Sequence, residues 1–130
     1  MKRLVTKRML VVLPVLAAAF AVAAAAQAAT IGQREALGAA KSYLSSGSFS
    51  RAGLIDQLES PYGEDFSHPD AVWGVNHAHA NWYAEAVEAA KSYLQSGHFS
   101  RRALIDQLES PYGEHFTHAQ AAYGVSRAYR

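Results

Sequence analysis

The stretch LIDQLESPYGE occurs twice in this chain, from Leu54 to Glu64 and again from Leu104 to Glu114. Its leucines and isoleucine recur at helical spacing, whereas the proline and glycine that follow oppose a continued helix. The stretch therefore predicts the end of a short amphipathic helix followed by a turn. Because it recurs at an offset of 50 residues, it also predicts a duplicated unit.

The duplication extends well beyond this stretch. When residues 35–80 are aligned with residues 85–130, 30 of the 46 pairs are identical. A fixed period of this length is typical of a repeated supersecondary unit. The sequence therefore predicts two tandem domains, residues 35–80 and residues 85–130, after an N-terminal segment of residues 1–28.

Each unit is predicted to contain three short helices in a helix-turn-helix-like order, which makes the fold class all-α. In the first unit, residues 35–45 place apolar side chains at helical spacing, and Gly47 ends this helix. Ser50 is the predicted N-cap of the second helix. Ser67 and Asp70 form the predicted capping box of the third helix.

Three further predictions concern the turn, the last helix and the connection between the units. Gly63 is expected to supply a positive φ in the turn, and Thr117 with Gln120 is expected to form a capping box. Nothing in residues 75–95 strongly breaks a helix. We therefore expect a connecting helix to join the two units, with a kink near Asn81 as the alternative.

The predicted core uses matching apolar positions in both units, and the sequence has no cysteine for a disulfide. A mature chain of about 100 residues is near the size at which packing alone suffices. The predicted core residues are Ala40, Leu44, Phe49, Leu54, Ile55, Leu58, Phe66 and Val75 in the first unit and Ala90, Leu94, Phe99, Leu104, Ile105, Leu108, Phe116 and Val125 in the second.

The N-terminal segment is typical of an export signal. Four basic residues among the first eight precede an uncharged stretch, residues 9–31, which contains an A-x-A cleavage motif. Cleavage is predicted between Ala28 and Ala29. The alternative is an uncleaved membrane anchor, because the stretch approaches the roughly 20 residues of a spanning helix. Both interpretations predict an exported protein, either secreted or displayed at the cell surface.

Cleavage of this segment would change the charge of the chain. The full sequence has 12 basic and 11 acidic residues, and the four basic residues of the leader would leave with it. The mature net charge would be −3, and such a chain has no electrostatic basis for binding nucleic acid. A small DNA-binding regulator is therefore the least favoured function, and the membrane is a partner only through an uncleaved N-terminal segment.

No sequence signature indicates catalysis or a cofactor. There is no cysteine nucleophile, G-x-S-x-G, H-E-x-x-H or glycine-rich phosphate loop. His77 and His79 are spaced so that a helix would point them apart, and His115 and His118 lie on either side of a predicted helix start. The sequence therefore predicts a non-enzymatic protein without a metal site or cofactor.

Aromatic and polar residues of the repeated stretch form the candidate protein-binding site. Tyr62 and Tyr112 lie at the predicted turns, where they either bind a partner or pack on the core. The same two interpretations apply to Trp73 and Tyr123, whereas Trp82 is expected to pack between the units. The candidate site residues are Asp56, Gln57, Glu59, Tyr62, Glu64, Asp106, Gln107, Glu109, Tyr112 and Glu114.

A succession of motifs is shared by both units: A-x-x-A-K-S-Y-L, F-S-R, L-I-D-Q-L-E-S, Y-G-E and A-x-W-G-V or A-x-Y-G-V. This succession resembles the Ltp-type host cell surface-exposed lipoprotein family, which has a repeated helix-turn-helix-like module. The resemblance implies display outside the cytoplasmic membrane. For some members it also implies superinfection exclusion, in which a resident phage's surface protein stops incoming phage DNA from entering.

One feature departs from the family pattern, because a lipoprotein needs a cysteine after its signal and this sequence has none. The predicted function is protein binding at the cell envelope, with an incoming phage component as the partner that the resemblance implies. Two equal sites on one chain would favour a repeated or elongated target through avidity. The alternative is an envelope or cell-wall-associated module in which tyrosine and tryptophan stack on sugars.

Overall fold

The computed structural model describes residues 27–130, and within that range it contains six helices and no strand. The helices are α1 Ile31–Ser46, α2 Arg51–Glu59, α3 His68–His77, α4 Trp82–Ser96, α5 Arg101–Glu109 and α6 His118–Ala128. Helices α1–α3 form the first repeat and α4–α6 the second. The all-α class and the tandem repeats are therefore confirmed, whereas the predicted export signal or anchor concerns residues 1–26, outside the described residues.

Each helix begins at a side chain that accepts a hydrogen bond from the first turn. The six N-cap residues are Thr30, Ser50, Ser67, Asn81, Ser100 and Thr117. The predicted cap at Ser50 is confirmed, and Thr117 and Gln120 form the predicted reciprocal capping box. Ser67 accepts a bond from the Asp70 N–H at 3.4 Å without a return bond, so the other predicted capping box is only half formed.

Helix α1 begins four residues before the predicted start. Thr30 Oγ1 accepts from the Gln33 N–H at 3.1 Å, and Gln33 Oε1 accepts from the Thr30 N–H at 2.9 Å. This capping box satisfies two backbone donors that a helix start leaves without partners. The apolar periodicity starts only at residue 36, so it does not reveal this polar first turn.

The predicted continuous connecting helix is wrong. Helix α3 ends at His77 and α4 begins at Trp82, and His79 between them has a φ of 53°, in the left-handed region. Asn81 accepts a hydrogen bond from the Ala84 N–H at 3.1 Å and so starts a new helix. A short polar side chain that bonds the backbone competes with a continued helix, which explains the break near the position of the predicted kink.

The first and third helices of each repeat approach so closely that only glycine fits at their contact. A Cβ atom at Gly74 would lie 2.7 Å from the Ala36 carbonyl carbon, and one at Gly124 would lie 2.6 Å from that of Ala86. Both distances are far shorter than a normal carbon contact of about 3.5 to 4.0 Å. The two glycines therefore determine how α1 packs on α3 and how α4 packs on α6.

Two buried clusters form the core, one in each repeat, and all the predicted core residues are buried or pack against them. Four alanines at the helix contacts, which lie outside the predicted list of core residues, are also fully buried: Ala36, Ala71, Ala86 and Ala121. Trp73 and Tyr123 are not members of either cluster, whereas Trp82 of the second repeat packs against the first cluster. Among residues 27–130, no helix has the length and apolar character needed to cross a membrane.

The second repeat contacts the corner between α1 and α2 of the first repeat, and we call this contact the junction. Trp82 packs against the first core there, and Glu85 Oε2 accepts a hydrogen bond from the Phe49 N–H at 3.1 Å. The Ser50 hydroxyl donates to the Glu114 carbonyl oxygen. Because Ser50 is 1% exposed, this bond also provides the partner that a buried polar group needs.

Candidate protein-binding turns

The chain reverses sharply between the second and third helices of each repeat. In the first repeat, the Ser60 carbonyl accepts from the N–H groups of Gly63, at 2.9 Å, and Asp65, at 3.1 Å. The Phe66 N–H donates to the Leu58 carbonyl at 2.9 Å. The second repeat has the same three bonds at the matching residues. Each turn is therefore held by backbone bonds at its base and along its length.

The prediction that Gly63 has a positive φ is wrong. The positive φ values in the two turns belong to Asp65, at 53°, and His115, at 59°. In the second turn glycine is required for a different reason, because a Cβ atom at Gly113 would lie 2.4 Å from the Gln107 carbonyl oxygen; one at Gly63 would lie 3.3 Å from that of Gln57. Each turn thus folds back on the end of the preceding helix, and in the second repeat it lies so close that no side chain fits.

A tyrosine of the first helix ties each turn to the rest of its repeat. The Tyr43 hydroxyl donates to Glu64 Oε1 at 2.6 Å and accepts from Gln57 Nε2 at 3.2 Å. The second repeat has the same two bonds at the same lengths, formed by Tyr93, Glu114 and Gln107. The four candidate glutamate and glutamine residues in these bonds therefore hold each turn against the first and second helices of its own repeat.

The electrostatics of these bonds favour the protonated phenol. The hydrogen bond to Glu64, with a smaller contribution from burial, raises the pKa of Tyr43. Burial, followed by the hydrogen bond to Glu114, raises the pKa of Tyr93. Both hydroxyls therefore remain donors at neutral pH, and the bonds that orient the turns persist there.

A second polar pair in each repeat joins the end of the second helix to the start of the third. His68 Nδ1 pairs with Glu59 Oε1, and His118 Nδ1 pairs with Glu109 Oε2 at 2.6 Å. The candidate residues Glu59 and Glu109 therefore also have partners within their own repeats. Together with the tyrosine bonds, these pairs brace both sides of the turn.

The tyrosines at the tips of the turns are fully exposed. Tyr62 is 99% exposed and Tyr112 is 100% exposed, so neither ring packs on the core. Each ring is presented by a turn that the surrounding bonds already hold in one conformation. Such a ring loses little conformational entropy when it binds, which is the condition under which tyrosine contributes most at an interface.

The two candidate aspartates are exposed but differ in their surroundings. Asp56 lies at the junction, where its Oδ2 is 3.7 Å from Nδ1 of His115 in the other repeat. Asp106 is exposed on α5. Of the five candidate residues in each repeat, both glutamates and the glutamine are bonded within the repeat, whereas the tyrosine and the aspartate are exposed.

The described histidines do not form a metal site. Among residues 27–130, no three histidine, cysteine, aspartate or glutamate residues lie close enough together to hold a metal ion. His77 stacks on Trp73 with ring centroids 3.8 Å apart, and its Nδ1 lies 2.7 Å from the Trp73 carbonyl oxygen.

Sequence reasoning missed the residues that support the turns and the junction. These residues are Tyr43, Tyr93 and Glu85, together with Ser50, which was predicted only as a helix cap. The tyrosines had a signal, because both belong to the identical string AAKSYL and both precede an identical glutamate by 21 positions. No sequence signal distinguishes Glu85 at the junction from its equivalent Glu35, which has the same residue type and is exposed.

The profile of the family described as host cell surface-exposed lipoprotein matches the chain twice, over residues 32–78 and 81–127. The chain belongs to this family. A solved structure of a protein described as Ltp, a superinfection exclusion protein from the Streptococcus thermophilus temperate phage TP-J34, has a TM-score of 0.69 and 29% identity. The match covers 76% of this chain and 97% of that chain. Comparison with curated protein sequences gives no match.

The predicted resemblance to the Ltp-type lipoproteins is thereby confirmed. The two matched ranges correspond to α1–α3 and α4–α6, so each three-helix repeat is one module of the host cell surface-exposed lipoprotein family. The exposed turns with their bracing tyrosines lie inside both matched ranges. The family description is consistent with an exported or surface location.

Proposed function

We propose that this family member acts outside the cytoplasmic membrane and excludes superinfecting phage by binding an incoming phage protein, which keeps the phage DNA out of the cell. The description of the family and that of the phage TP-J34 protein both support this proposal. The role requires recognition of a macromolecule without chemistry, and a pair of exposed turns suits that requirement. Neither nucleic acid nor a cofactor takes part.

The observation that carries the proposal is the full exposure of Tyr62 and Tyr112 on braced turns. Tyrosine supplies a large contact area from only two side-chain torsions, and the turn beneath it is already ordered. The neighbouring carboxylates of Asp56 and Asp106 would orient a partner by charge. Two such turns on one chain would bind a repeated or elongated target more tightly than either alone.

The test is phage plating, together with measurement of phage DNA inside the cell, on a host that produces the protein. The wild type is expected to reduce both quantities for at least one phage in a broad panel. Tyr62→Ala combined with Tyr112→Ala should restore plating, and each single change should restore it partly because one turn remains. Ser45→Ala combined with Gln95→Ala is the matched control, since these exposed positions are equivalent in the two repeats.

Circular dichroism of the purified variants checks that each is folded, so that restored plating reports on binding. Full exclusion by the double tyrosine variant would assign the contact to a surface other than the turns. Unchanged plating and unchanged phage DNA across the whole panel with the wild type would remove the exclusion role.

The location is tested separately by cell fractionation and by the mass of the mature protein. A product that begins at Ala29 outside the cytoplasmic membrane is expected if the leader is cleaved. A membrane-bound product of full length would instead assign retention to the N-terminal segment. Recovery of the protein from the cytoplasm would contradict the proposal.

A second candidate function, attachment to the cell wall, is also compatible with exposed tyrosines, because aromatic rings stack on sugars. Sedimentation with purified cell wall distinguishes the two functions. Wall binding that Tyr62→Ala and Tyr112→Ala abolish would favour the wall-associated module. Protein recognition is favoured if the wild type does not sediment with the wall.

A further inference from the structure

The same corner of the two repeats has different surroundings. In the first repeat, the corner between α1 and α2 is covered by the junction, where Trp82 packs against the core and Glu85 accepts from the Phe49 N–H. The covering element is thus the first turn of a helix that carries an aromatic residue and, three positions later, a carboxylate. The first repeat therefore shows that an aromatic side chain and a carboxylate fit this corner.

The equivalent corner of the second repeat is an open groove of about 740 Å³. Its lining includes Leu94, His98, Phe99, Ala128, Tyr129 and Arg130. The Phe99 N–H, which is equivalent to that of Phe49, is bonded to no residue among those described, 27–130. The volume lies within the range of about 300 to 1,000 Å³ that is usual for binding pockets.

The open groove is also more basic than its covered counterpart. Two positions that line it have basic or titratable residues where the first repeat has small ones: His98 against Ser48 and Arg130 against Ala80. The Arg101 guanidinium lies 5.0 Å from the centre of the Tyr129 ring at the edge of the groove. The groove therefore complements a segment with negative charge, such as the glutamate that occupies the first corner.

A second copy of this chain does not supply the matching element. The start of its α1 has Gly32 where α4 has Trp82, so the aromatic residue is missing. In the same geometry, Asp106 would face Asp65 instead of the histidine that Asp56 faces, and two carboxylates would repel each other.

The residue at the equivalent of Gly53 also opposes the binding of a second copy at this corner. Gly53 in the first repeat leaves room for the Glu114 carbonyl oxygen, which would lie only 3.2 Å from a Cβ atom there. The second repeat has Ala103 at the equivalent position. The second corner therefore has the same apolar side chains and the same backbone N–H group as the first. It does not have the glycine that would make room for another copy of the module.

We propose that the groove of the second repeat binds a partner protein through the first turn of an acidic helix, with an aromatic side chain followed three residues later by a glutamate or aspartate. The aromatic ring lies against Leu94 and Phe99, and the carboxylate accepts from the Phe99 N–H. The basic residues at the edge of the groove attract the acidic helix. This surface contains no residue of the tyrosine turns, so the inference stands apart from the exclusion role.

The test uses the chain's own covering element as the probe, a capped peptide of residues 78–96. Titration into the ¹⁵N-labelled protein is expected to shift the amide resonances of Phe99 and Tyr129 in a saturable manner. A control peptide with Trp82→Ala and Glu85→Ala should bind at least about tenfold more weakly, a difference that corresponds to two lost anchors. His98→Glu combined with Arg130→Glu in the protein should weaken binding by a similar factor.

Lys41→Glu combined with Lys91→Glu is the control for the protein variant, because it reverses two charges at exposed positions elsewhere. These changes should leave peptide binding within about twofold. The absence of shifts at Phe99 with about 1 mM peptide would overturn the proposal, since even weak docking is visible at that concentration. Shifts confined to the first repeat would also overturn it, because the peptide would then only replace the chain's own segment.

A third measurement separates a partner from a second copy. Sedimentation of the protein alone should give a monomer at all concentrations. Self-association that His98→Glu and Arg130→Glu abolish would assign the groove to another copy of this chain and contradict the proposal.

Discussion

The first repeat is covered at its α1–α2 corner by the second, whereas the second repeat leaves the same corner open. The two repeats have 30 identical residues in 46 aligned positions, and their cores and turns are built from the same side chains. Several of the substitutions lie at or near these corners, including Gly53 against Ala103 and Asp65 against His115. The duplicated module thus keeps the same interior in both copies, whereas the residues at each corner differ with the neighbour that the corner meets.

The two repeats also differ in charge. Residues 32–78 contain three basic and six acidic residues, whereas residues 81–127 contain four basic and five acidic ones. The first repeat is thus clearly acidic and the second nearly neutral. A partner that contacts both turns meets the same tyrosine in two electrostatic environments, so the two sites are matched in shape and not in charge.

The largest expected effect tests whether the two cores act as one unit. Leu58→Ala and Leu108→Ala should each lower the free energy of unfolding by about 2 to 5 kcal/mol, because each creates a cavity at a fully buried position. Urea unfolding followed by circular dichroism measures the loss. If the junction couples the repeats, each variant unfolds in a single transition.

Two separate transitions in either leucine variant would show that the repeats unfold independently and that the junction contributes little. A loss below about 1 kcal/mol would contradict the placement of these leucines in the cores, since such losses are typical of less critical positions.

The close helix contacts give the next largest effect. Gly74→Ala and Gly124→Ala should each lower the free energy of unfolding by about 1 to 3 kcal/mol, because the added methyl group meets backbone atoms of the facing helix. Thermal unfolding of the two variants should show similar losses, since the contact is the same in both repeats.

Gly38→Ala is the matched control for these glycine variants, because it also lies within a helix but has nothing within 4 Å of an added Cβ atom. Its stability should increase by about 0.5 to 1 kcal/mol through the higher helix propensity of alanine. Equal effects at Gly38 and Gly74 would refute the steric argument.

The junction itself is tested by equivalent glutamates with different surroundings. Glu85→Ala should lower the free energy of unfolding by about 1 kcal/mol, because it removes the acceptor for the Phe49 N–H. Glu35→Ala should have almost no effect, since the equivalent side chain in the first repeat is exposed. Chemical denaturation of both variants measures the difference, and equal losses would argue against the junction.

The pH dependence of the Glu85 interaction has a defined sign. Burial raises the pKa of Glu85 above its ordinary value of 4.5, although the bond from the Phe49 N–H acts in the opposite direction. The part of its contribution to stability that depends on protonation is therefore present at low pH and is lost as the pH rises through the raised pKa, whereas the side chain accepts the Phe49 N–H bond in either form. Glu85→Gln keeps an acceptor but cannot ionise, so it should gain stability relative to the wild type over that range.

The smallest expected effect concerns the tyrosines that brace the turns. Because the pKa values of Tyr43 and Tyr93 are raised in the folded protein, their contribution to stability is present below the pKa of the unfolded chain. It is lost as the pH rises through the raised values. Tyr43→Phe combined with Tyr93→Phe should reduce the alkaline loss of stability, as measured by unfolding at several pH values.

An alkaline loss of the same size in the double phenylalanine variant would show that other groups cause it. Ultraviolet absorbance of tyrosinate provides a second measurement, because the variant should lack the part of the titration that occurs at the highest pH. The result bears on both repeats equally, since the bracing bonds have the same lengths in each.

Local sequence patterns predicted the parts of the fold that depend on neighbours along the chain. The spacing of Leu54 and Leu58 indicated the buried face of α2, and Ser50 and Thr117 were identified as caps because they contact residues only three positions away. The turn was also located correctly. Its positive φ was assigned to Gly63 in error, because the left-handed residue is Asp65; the glycine of the turn instead lies close to the end of the preceding helix.

Long-range features were not predictable in the same way. The Tyr43 and Glu64 side chains are 21 residues apart, and only the packing of α1 beside the turn brings them together. The sequence also did not show that six of the candidate site residues brace the turns while Tyr62 and Tyr112 remain fully exposed. A turn-forming string predicts that a residue lies at the surface. It does not predict how much of the side chain is exposed, because that fraction depends on the packing of the whole folded chain.

Helical spacing, caps and a fixed period are local properties of the chain, so the amino-acid sequence is enough to specify a tandem pair of three-helix modules with matching cores. Which of two equivalent residues is buried, however, depends on the tertiary structure. Glu85 binds the Phe49 N–H while its equivalent Glu35 faces solvent, and one corner is covered while the other is an open groove. The physical reason is that burial depends on the neighbour that packs against a residue, and the two copies have different neighbours.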